Sequence, residues 1–395
     1  MYRSAIRPLL FSLRIERAHR TVLWLLRLIG WMPGGRWLLG RCCMVRHPAL
    51  EREVFGLRFS NPVGLAAGVD RSGEVVREWG AVGFGFVEVG TLTPKPQPGN
   101  PRPRIYRLPK DCALIHRTGL PNRGLDTAIR HLRRPHKGLV VGCNIGRNSA
   151  SLPENVPSDY LKLFRNLYQY ADYFTVHIDW DFPTEPSLDE IREEILRILE
   201  PLFDFRRGQN HYRPILLKVS PDMSDPIVDL VTDILIETPL DGIVATDGSA
   251  GRDGLKTSMA AVGKAGSGRL SGAPLTQRAI GIVRRIHDRS GGNYPIIGVG
   301  GLMSADDARA MFAAGADLVQ LCTGLVYEGP RLVRDICRAL IADAEAAEAA
   351  AADVAAADVG PEPLDAEMSR AADAATAKTA EPELFPTDAP DSAER

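Results

Sequence analysis

The chain has 395 residues, 45% of them hydrophobic and 25% charged, which suits one large globular domain with appendages or two modest ones and excludes a wholly disordered polymer. Its net charge of −1 hides an asymmetry: residues 341–395 hold fourteen acids against three bases, leaving about +10 on everything before them. The six cysteines show neither a CxxC pair nor zinc-ligand spacing, so reduced thiols in a cytosol-facing protein are expected.

Residues 1–46 carry nine arginines, one acid (Glu16) and no lysine. Their apolar residues come in short groups interrupted by Arg7, Arg14, Arg20 and Arg27. No stretch approaches the roughly 20 apolar residues of a spanning helix, and there is no continuous signal-peptide core. The pattern predicts a pair of amphipathic helices broken at Pro33-Gly34-Gly35, with arginines for lipid headgroups and Trp, Leu and Phe for the acyl boundary. An arginine-rich helical cap on the following domain and a transit peptide are the alternatives. The positive charge has no interleaved aromatic platform, so nucleic-acid binding is not expected.

From Asn61 onward, strand-like runs fall at residues 63–67, 84–90, 139–145, 173–179, 215–219, 242–246, 295–299 and 318–322. Most are near-continuous apolar runs, as strands buried on both faces should be. Helical patterns lie between them, at 187–199, 225–236, 276–289 and about 304–314. Eight strands with helical crossovers predict an α/β fold of the (β/α)8 TIM-barrel type. An open doubly wound sheet is the competing architecture, but no GxGxxG opens a helix after the first strand. Beyond residue 343 the sequence is reduced to Ala, Asp, Glu and Pro. After an extension of the last helix by about a dozen residues, this acidic, Ala-rich C-terminal tail is expected to be disordered. The predicted organisation is therefore an N-terminal helical cap (1–46), a barrel (47–340) and a tail (341–395).

The stretch 295–324 reads strand, Gly300-Gly301, helix, strand, Thr323-Gly324. Glycines and a hydroxyl at two parallel strand ends leave backbone N–H groups open for a phosphate. In (β/α)8 barrels such a site follows the seventh and eighth strands. A simple tight turn at Gly300-Gly301 remains the other reading. Lys218 stands alone in an apolar strand, and a buried lysine at a strand end is rarely structural.

Several long stretches carry a family likeness: IRPLLFSLRIERAH (6–19), LRFSNPVGLAAGVDRSGE (57–74), GFGFVEVGTLTPKPQPGNPRPRIYRL (83–108), GCNIGRN (142–148), LLKVSPD (216–222), DGIVATDG (241–248), RLSGAPL (269–275), IIGVGG (296–301) and LVQLCTG (318–324). With them the chain, up to about Leu340, resembles the class 2, quinone-linked, membrane-associated dihydroorotate dehydrogenases, which convert dihydroorotate to orotate in pyrimidine biosynthesis. The resemblance implies FMN at the C-terminal mouth of the barrel and a quinone reaching it between the N-terminal helices. It also implies peripheral attachment at the cytoplasmic side of the inner membrane. It assigns the FMN phosphate to Gly300, Gly301, Thr323, Gly324, Ser271 and Gly272, and close packing on the isoalloxazine to Ala66, Ala67 and Gly68. Polar contacts fall to Thr91, Asn144 and Thr246, and Lys218 would set a cation by the flavin's N1–C2=O edge.

The substrate side departs from the family pattern, in which four asparagines cradle orotate and a serine is the base. By position the asparagines become His177, Phe182, His116 and Asp247, the serine becomes Trp180, and the lysine after the AAG motif becomes Arg71. Tryptophan has no oxygen with which to take a proton. His177, Asp179 and Asp181 are then the candidate replacement bases, and Arg71, His116, Phe182 and Asp247 the candidate substrate contacts. A charged rim that closes its loop by internal hydrogen bonds is the bland account of these residues. Three functions stay open: an FMN oxidoreductase for another small molecule, a dihydroorotate dehydrogenase with a rearranged loop, and a non-catalytic FMN-binding paralogue whose cavity Trp180 and Phe182 plug.

Overall fold

The computed structural model describes residues 2–134, 136, 138–180 and 186–358, the last four as main chain only. Asp181 and Phe182, and the tail from residue 359, lie outside the described residues. By internal contacts the chain forms two compact units, Met1–Ala342 and Asp343–Arg395. The last helix runs Arg331–Asp358, extending past residue 343 about as far as expected, because its alanine-rich end consists of strong helix formers.

Eight parallel strands close into a barrel: β1 (Val63–Leu65), β2 (Phe86–Leu92), β3 (Val140–Ile145), β4 (Tyr173–His177), β5 (Ile215–Val219), β6 (Gly242–Ala245), β7 (Ile296–Val299) and β8 (Leu318–Leu321). They neighbour one another in chain order, with β8 paired to β1. The first unit is thus a (β/α)8 TIM barrel. Each strand matches an apolar run in the sequence, and β1, β3, β5 and β6 are buried at every position.

The barrel's lower interior is filled by inward rings. Phe86 meets Phe59 edge-on at 5.2 Å and Tyr173 at 6.5 Å. Two glycines make the room: a Cβ at Gly64 would run into the Phe86 ring, and one at Gly142 into the Tyr173 ring. Below them the hairpin Arg52–Val54/Leu57–Phe59 closes the floor, turning at Phe55 and Gly56, both with positive φ.

A feature absent from the sequence reading lies over the opposite end. A three-stranded antiparallel sheet joins Ile105–Leu108, Ala113–His116 and Arg269–Gly272, pairing Leu270 with Ile115 and Arg269 with His116. The N-terminal helices Arg7–Ser12 and Ile15–Trp31 dock on it. Arg107 donates to the carbonyls of Phe11 and Leu13 and lies over the Phe11 ring, 4.4 Å from its centroid. Buried Arg104 donates to Glu16 at 2.8 Å. Helix Gly35–Cys43 follows the break at Pro33-Gly34, as the sequence predicts. Among the described residues no helix is long and apolar enough to cross a membrane.

Candidate active site

Strand ends, two crossover glycines and the covering sheet enclose a cavity of about 660 Å³ at the C-terminal mouth, within the roughly 300–1,000 Å³ of small-molecule sites. Twelve of the thirteen residues expected to hold a cofactor line it, Asn144 being the exception. Arg71, His116, His177, Asp179, Trp180 and Asp247 line it too.

One end is built of small groups. Gly300 and Gly301 follow β7 with φ of 137° and 71°, backbone that favours glycine. Thr276 Oγ1 donates to Gly301 O at 2.8 Å and fixes that turn. Thr323 Oγ1 donates to Ser271 Oγ at 2.9 Å, bringing the start of the segment after β8 against the covering sheet. A Cβ at Gly272 would press to 2.8 Å on the Ala113 backbone. Ala66, Ala67 and Gly68, after β1, line the same cavity with small side groups. Such a cradle of backbone and hydroxyls next to small side groups suits a phosphorylated planar cofactor. Gln320, which lines the cavity, keeps a buried Oε1 without a hydrogen-bond partner among the described residues, an acceptor that a ligand with N–H or O–H donors would satisfy. The residues present therefore fit FMN.

The other end is charged. Lys218, on β5, is 5% exposed, and its Nζ lies 4.0 Å from Asp247 Oδ1. His177, at the end of β4, sets Nδ1 3.4 Å from Asp247 Oδ2. Burial alone would raise the Asp247 carboxyl, but Lys218, then His177, His116 and Arg269 hold it down at about 2. The cations that a carboxylate needs at this place are thus supplied by the protein. Burial pushes His177 and His116 below the ordinary imidazole value, against the pull of Asp247, so both rings are neutral near pH 7. His116 reaches the cavity because the covering sheet carries it there.

Trp180 lines the cavity half-buried, and its indole N–H donates to Lys218 O at 3.1 Å. Tyr160 donates to His177 O at 2.6 Å and anchors the same strand end. Asp179 stands at the rim, 55% exposed, 3.7 Å from Arg147. Arg71 donates from Nε to Gly68 O at 3.1 Å. His19, from the second N-terminal helix, bonds Val69 O at 2.7 Å and, with Ile15, extends the lining between helices and barrel.

Sequence reasoning missed Glu88 and Gln320. Both are fully buried on barrel strands and joined by a hydrogen bond of 2.8 Å. Their signal was the one that marked Lys218, a lone polar residue within an apolar strand.

Residues 49–343 match the model of the family described as dihydroorotate dehydrogenase. A dihydroorotate dehydrogenase (quinone) from Christiangramia forsetii is 41% identical over 86% of this chain and 99% of its own. One from Thermosynechococcus vestitus is 41% identical over 87% and 97%. Among solved structures, the dihydroorotate dehydrogenase of Eimeria tenella in complex with ferulenol superposes with a TM-score of 0.70 at 31% identity, covering 81% of this chain and 89% of that one.

Proposed function

The chain belongs to the dihydroorotate dehydrogenase family of FMN-dependent oxidoreductases, and on that footing we propose that it oxidises a small molecule other than dihydroorotate and passes the electrons to a quinone. The observation that carries this reading is the pair His177–Asp247, 3.4 Å apart beside Lys218, where the family pattern has amides. An amide offers donor and acceptor together; a carboxylate only accepts. The ring that fits that wall must therefore present donors to it.

In this reading FMN, when bound, supplies the hydride acceptor. Gly300, Gly301, Ser271, Gly272, Thr323 and Gly324 hold its phosphate, and Ala66, Ala67 and Gly68 accept its ring face. Thr91, Asn144, Lys218 and Thr246 make polar contacts. His177 is the base: with Nδ1 toward Asp247, its Nε2 keeps a free lone pair for a substrate proton. That tautomer follows from the neighbour rather than from a visible hydrogen. Asp179 suits the role less, being paired with Arg147 at the exposed rim. Asp181 and Phe182 lie outside the described residues. Arg71, His116 and Asp247 contact the substrate, and Trp180 covers it from water. Trp180 stands in the cavity wall with its N–H on the Lys218 carbonyl, an orientation that supports a working site over a plugged one.

The quinone reading is supported by the cavity's extension past Ile15 and His19. Peripheral attachment at the cytoplasmic side of the inner membrane is supported by Trp31 and Trp37, 84% and 72% exposed on arginine-rich helices. The 1–46, 47–340 and 341–395 organisation stands as part of this proposal.

The test is an anaerobic titration of the purified, detergent-solubilised protein with dihydroorotate, followed by the flavin's visible absorbance. Flavin that stays yellow with dihydroorotate and bleaches with dithionite is the expected outcome. Rapid bleaching by dihydroorotate would overturn the altered-substrate reading. Protein that purifies without flavin would overturn the oxidoreductase reading itself.

A further inference from the structure

Glu88 is the only acid on the barrel strands, and its side chain is fully buried. Among the described residues no lysine or arginine pairs with it. Instead, donors from three other strands converge on it. Asn144 Nδ2 donates to Oε1 at 2.8 Å. Gln320 Nε2, Thr175 Oγ1 and Tyr173 OH donate to Oε2 at 2.8, 3.0 and 3.1 Å. Burial, and after it Glu88, pushes the Tyr173 phenol well up, so the phenol remains a donor.

Four donors on two carboxyl oxygens is the pattern of an acceptor-only group. It has a consequence for the two amides. An amide that turns its NH2 toward Glu88 must turn its C=O away. Asn144 Oδ1 and Gln320 Oε1 are the atoms so displaced, and both are buried without a partner. A buried acceptor left unmade is costly, and a barrel knit only for stability gains nothing from one. Gln320 lines the cavity.

We infer that Glu88 is a positioning residue for the cofactor: it holds Gln320, which lines the cavity, in the amide orientation that leaves its carbonyl oxygen to the ligand, while Asn144 caps the other carboxyl oxygen from behind. The group bound there must bring hydrogen-bond donors, and FMN has an imide N–H on its ring and hydroxyls on its ribityl chain. Were Glu88 a glutamine, it would carry its own NH2, the donor network would clash with itself, and the Gln320 amide would turn its nitrogen toward the ligand.

This rests on the FMN reading of the cavity, and the two fail differently: wild-type protein without flavin sinks that reading, whereas the outcomes below concern Glu88 alone. The experiment measures FMN dissociation from the purified holoprotein by recovery of flavin fluorescence on dilution, alongside the melting temperature. Glu88→Gln is expected to raise the FMN dissociation constant at least tenfold. Gln320→Leu, which leaves three donors on Glu88 but removes one acceptor, is expected to raise it several-fold with little change in melting temperature. Because Glu88 acts through the amides, its effect on the Gln320→Leu background should be smaller than alone. A lowered melting temperature with unchanged FMN affinity in Glu88→Gln would overturn the inference, as would strictly additive losses in the pair. Should Glu88→Gln fail to fold, unchanged affinity in Gln320→Leu overturns it by itself.

Discussion

His177 faces Asp247 across the cavity wall, Nδ1 to Oδ2, at 3.4 Å. A neutral imidazole with one nitrogen turned to a carboxylate has its other nitrogen defined as an acceptor, the arrangement a general base requires. His177→Gln keeps the bulk and removes the basic nitrogen. Anaerobic flavin reduction, driven by the reductant that bleaches the wild type, should slow by about 10²–10⁴-fold in stopped-flow, the usual worth of a general base. Asp247→Asn should slow it less, because the ring remains. A His177→Gln protein within twofold of wild type would move the base elsewhere.

The same pair sets a pH dependence. Burial lowers the His177 imidazole below its ordinary value, with Asp247 opposing and Lys218 reinforcing. The working form is the deprotonated one, so the rate of flavin reduction should be level at and above neutrality. It should fall as the pH drops through a point below the ordinary imidazole value of 6.5. Asp247, held at about 2, would give no inflection in that range if it were the base. A profile that instead falls on the alkaline side of the ordinary imidazole value would exclude a His177 held below it.

How much of this was legible in the sequence follows from what each element depends on. The eight strands were readable because a parallel barrel strand is buried on both faces and writes itself as an apolar run, as at 215–219. The sheet over the mouth was not, because Arg269–Gly272 pairs with Ala113–His116 across some 150 residues, and no local pattern announces such a partner. His116 therefore had a family-derived role but no derivable position. No cation stands next to Asp247 in the sequence. Its compensation by the cations Lys218 and Arg269 is a fact of three dimensions. Glu88 and Gln320 were hidden by the apolar runs FVEVGTL and LVQL, whose periodicity drew the eye away from the polar residues inside them.

Gly301 should prove indispensable to cofactor retention. Its φ is 71°, and a Cβ there would meet the Thr276 hydroxyl and lie 2.6 Å from the Thr276 backbone nitrogen. Backbone atoms cannot step aside as a flexible side chain can. Gly301→Ala carries roughly 1 kcal/mol of left-handed backbone strain and, on top of it, displacement of Thr276 from the Gly301 carbonyl. The flavin-to-protein ratio after desalting should fall to less than half of the wild-type ratio, with the melting temperature lowered by a few degrees.

The exposed indoles of Trp31 and Trp37 belong to helices that carry arginines and no lysine. An amphipathic helix gains lipid affinity from apolar area and from cationic attraction together. Trp31→Ala with Trp37→Ala should weaken co-sedimentation with vesicles containing anionic lipid by tenfold or more. Flavin content should stay unchanged, because neither ring lines the cavity. Raising salt alone should weaken binding less, since screening acts only on the charged share.

Asp247→Asn is the sharpest test of the proposed change of substrate. An ionised carboxylate here opposes any anionic ligand that the neighbouring cations would otherwise attract, and Asp247 is ionised at every physiological pH. At an effective dielectric of about 20, two like charges some 5 Å apart repel by roughly 3 kcal/mol. Lys218 and the surrounding arginines offset part of that. Replacing the carboxylate by an amide should then tighten the binding of orotate, read as a perturbation of the flavin spectrum, by about tenfold to a hundredfold. Turnover of dihydroorotate should not return with it, because Trp180 still stands where a proton-accepting oxygen is needed. Tighter orotate binding together with restored turnover would mean that the indole swings aside. Unchanged binding would mean that the anion never reaches Asp247, and that the cavity's charged end faces the ligand through Arg71 instead.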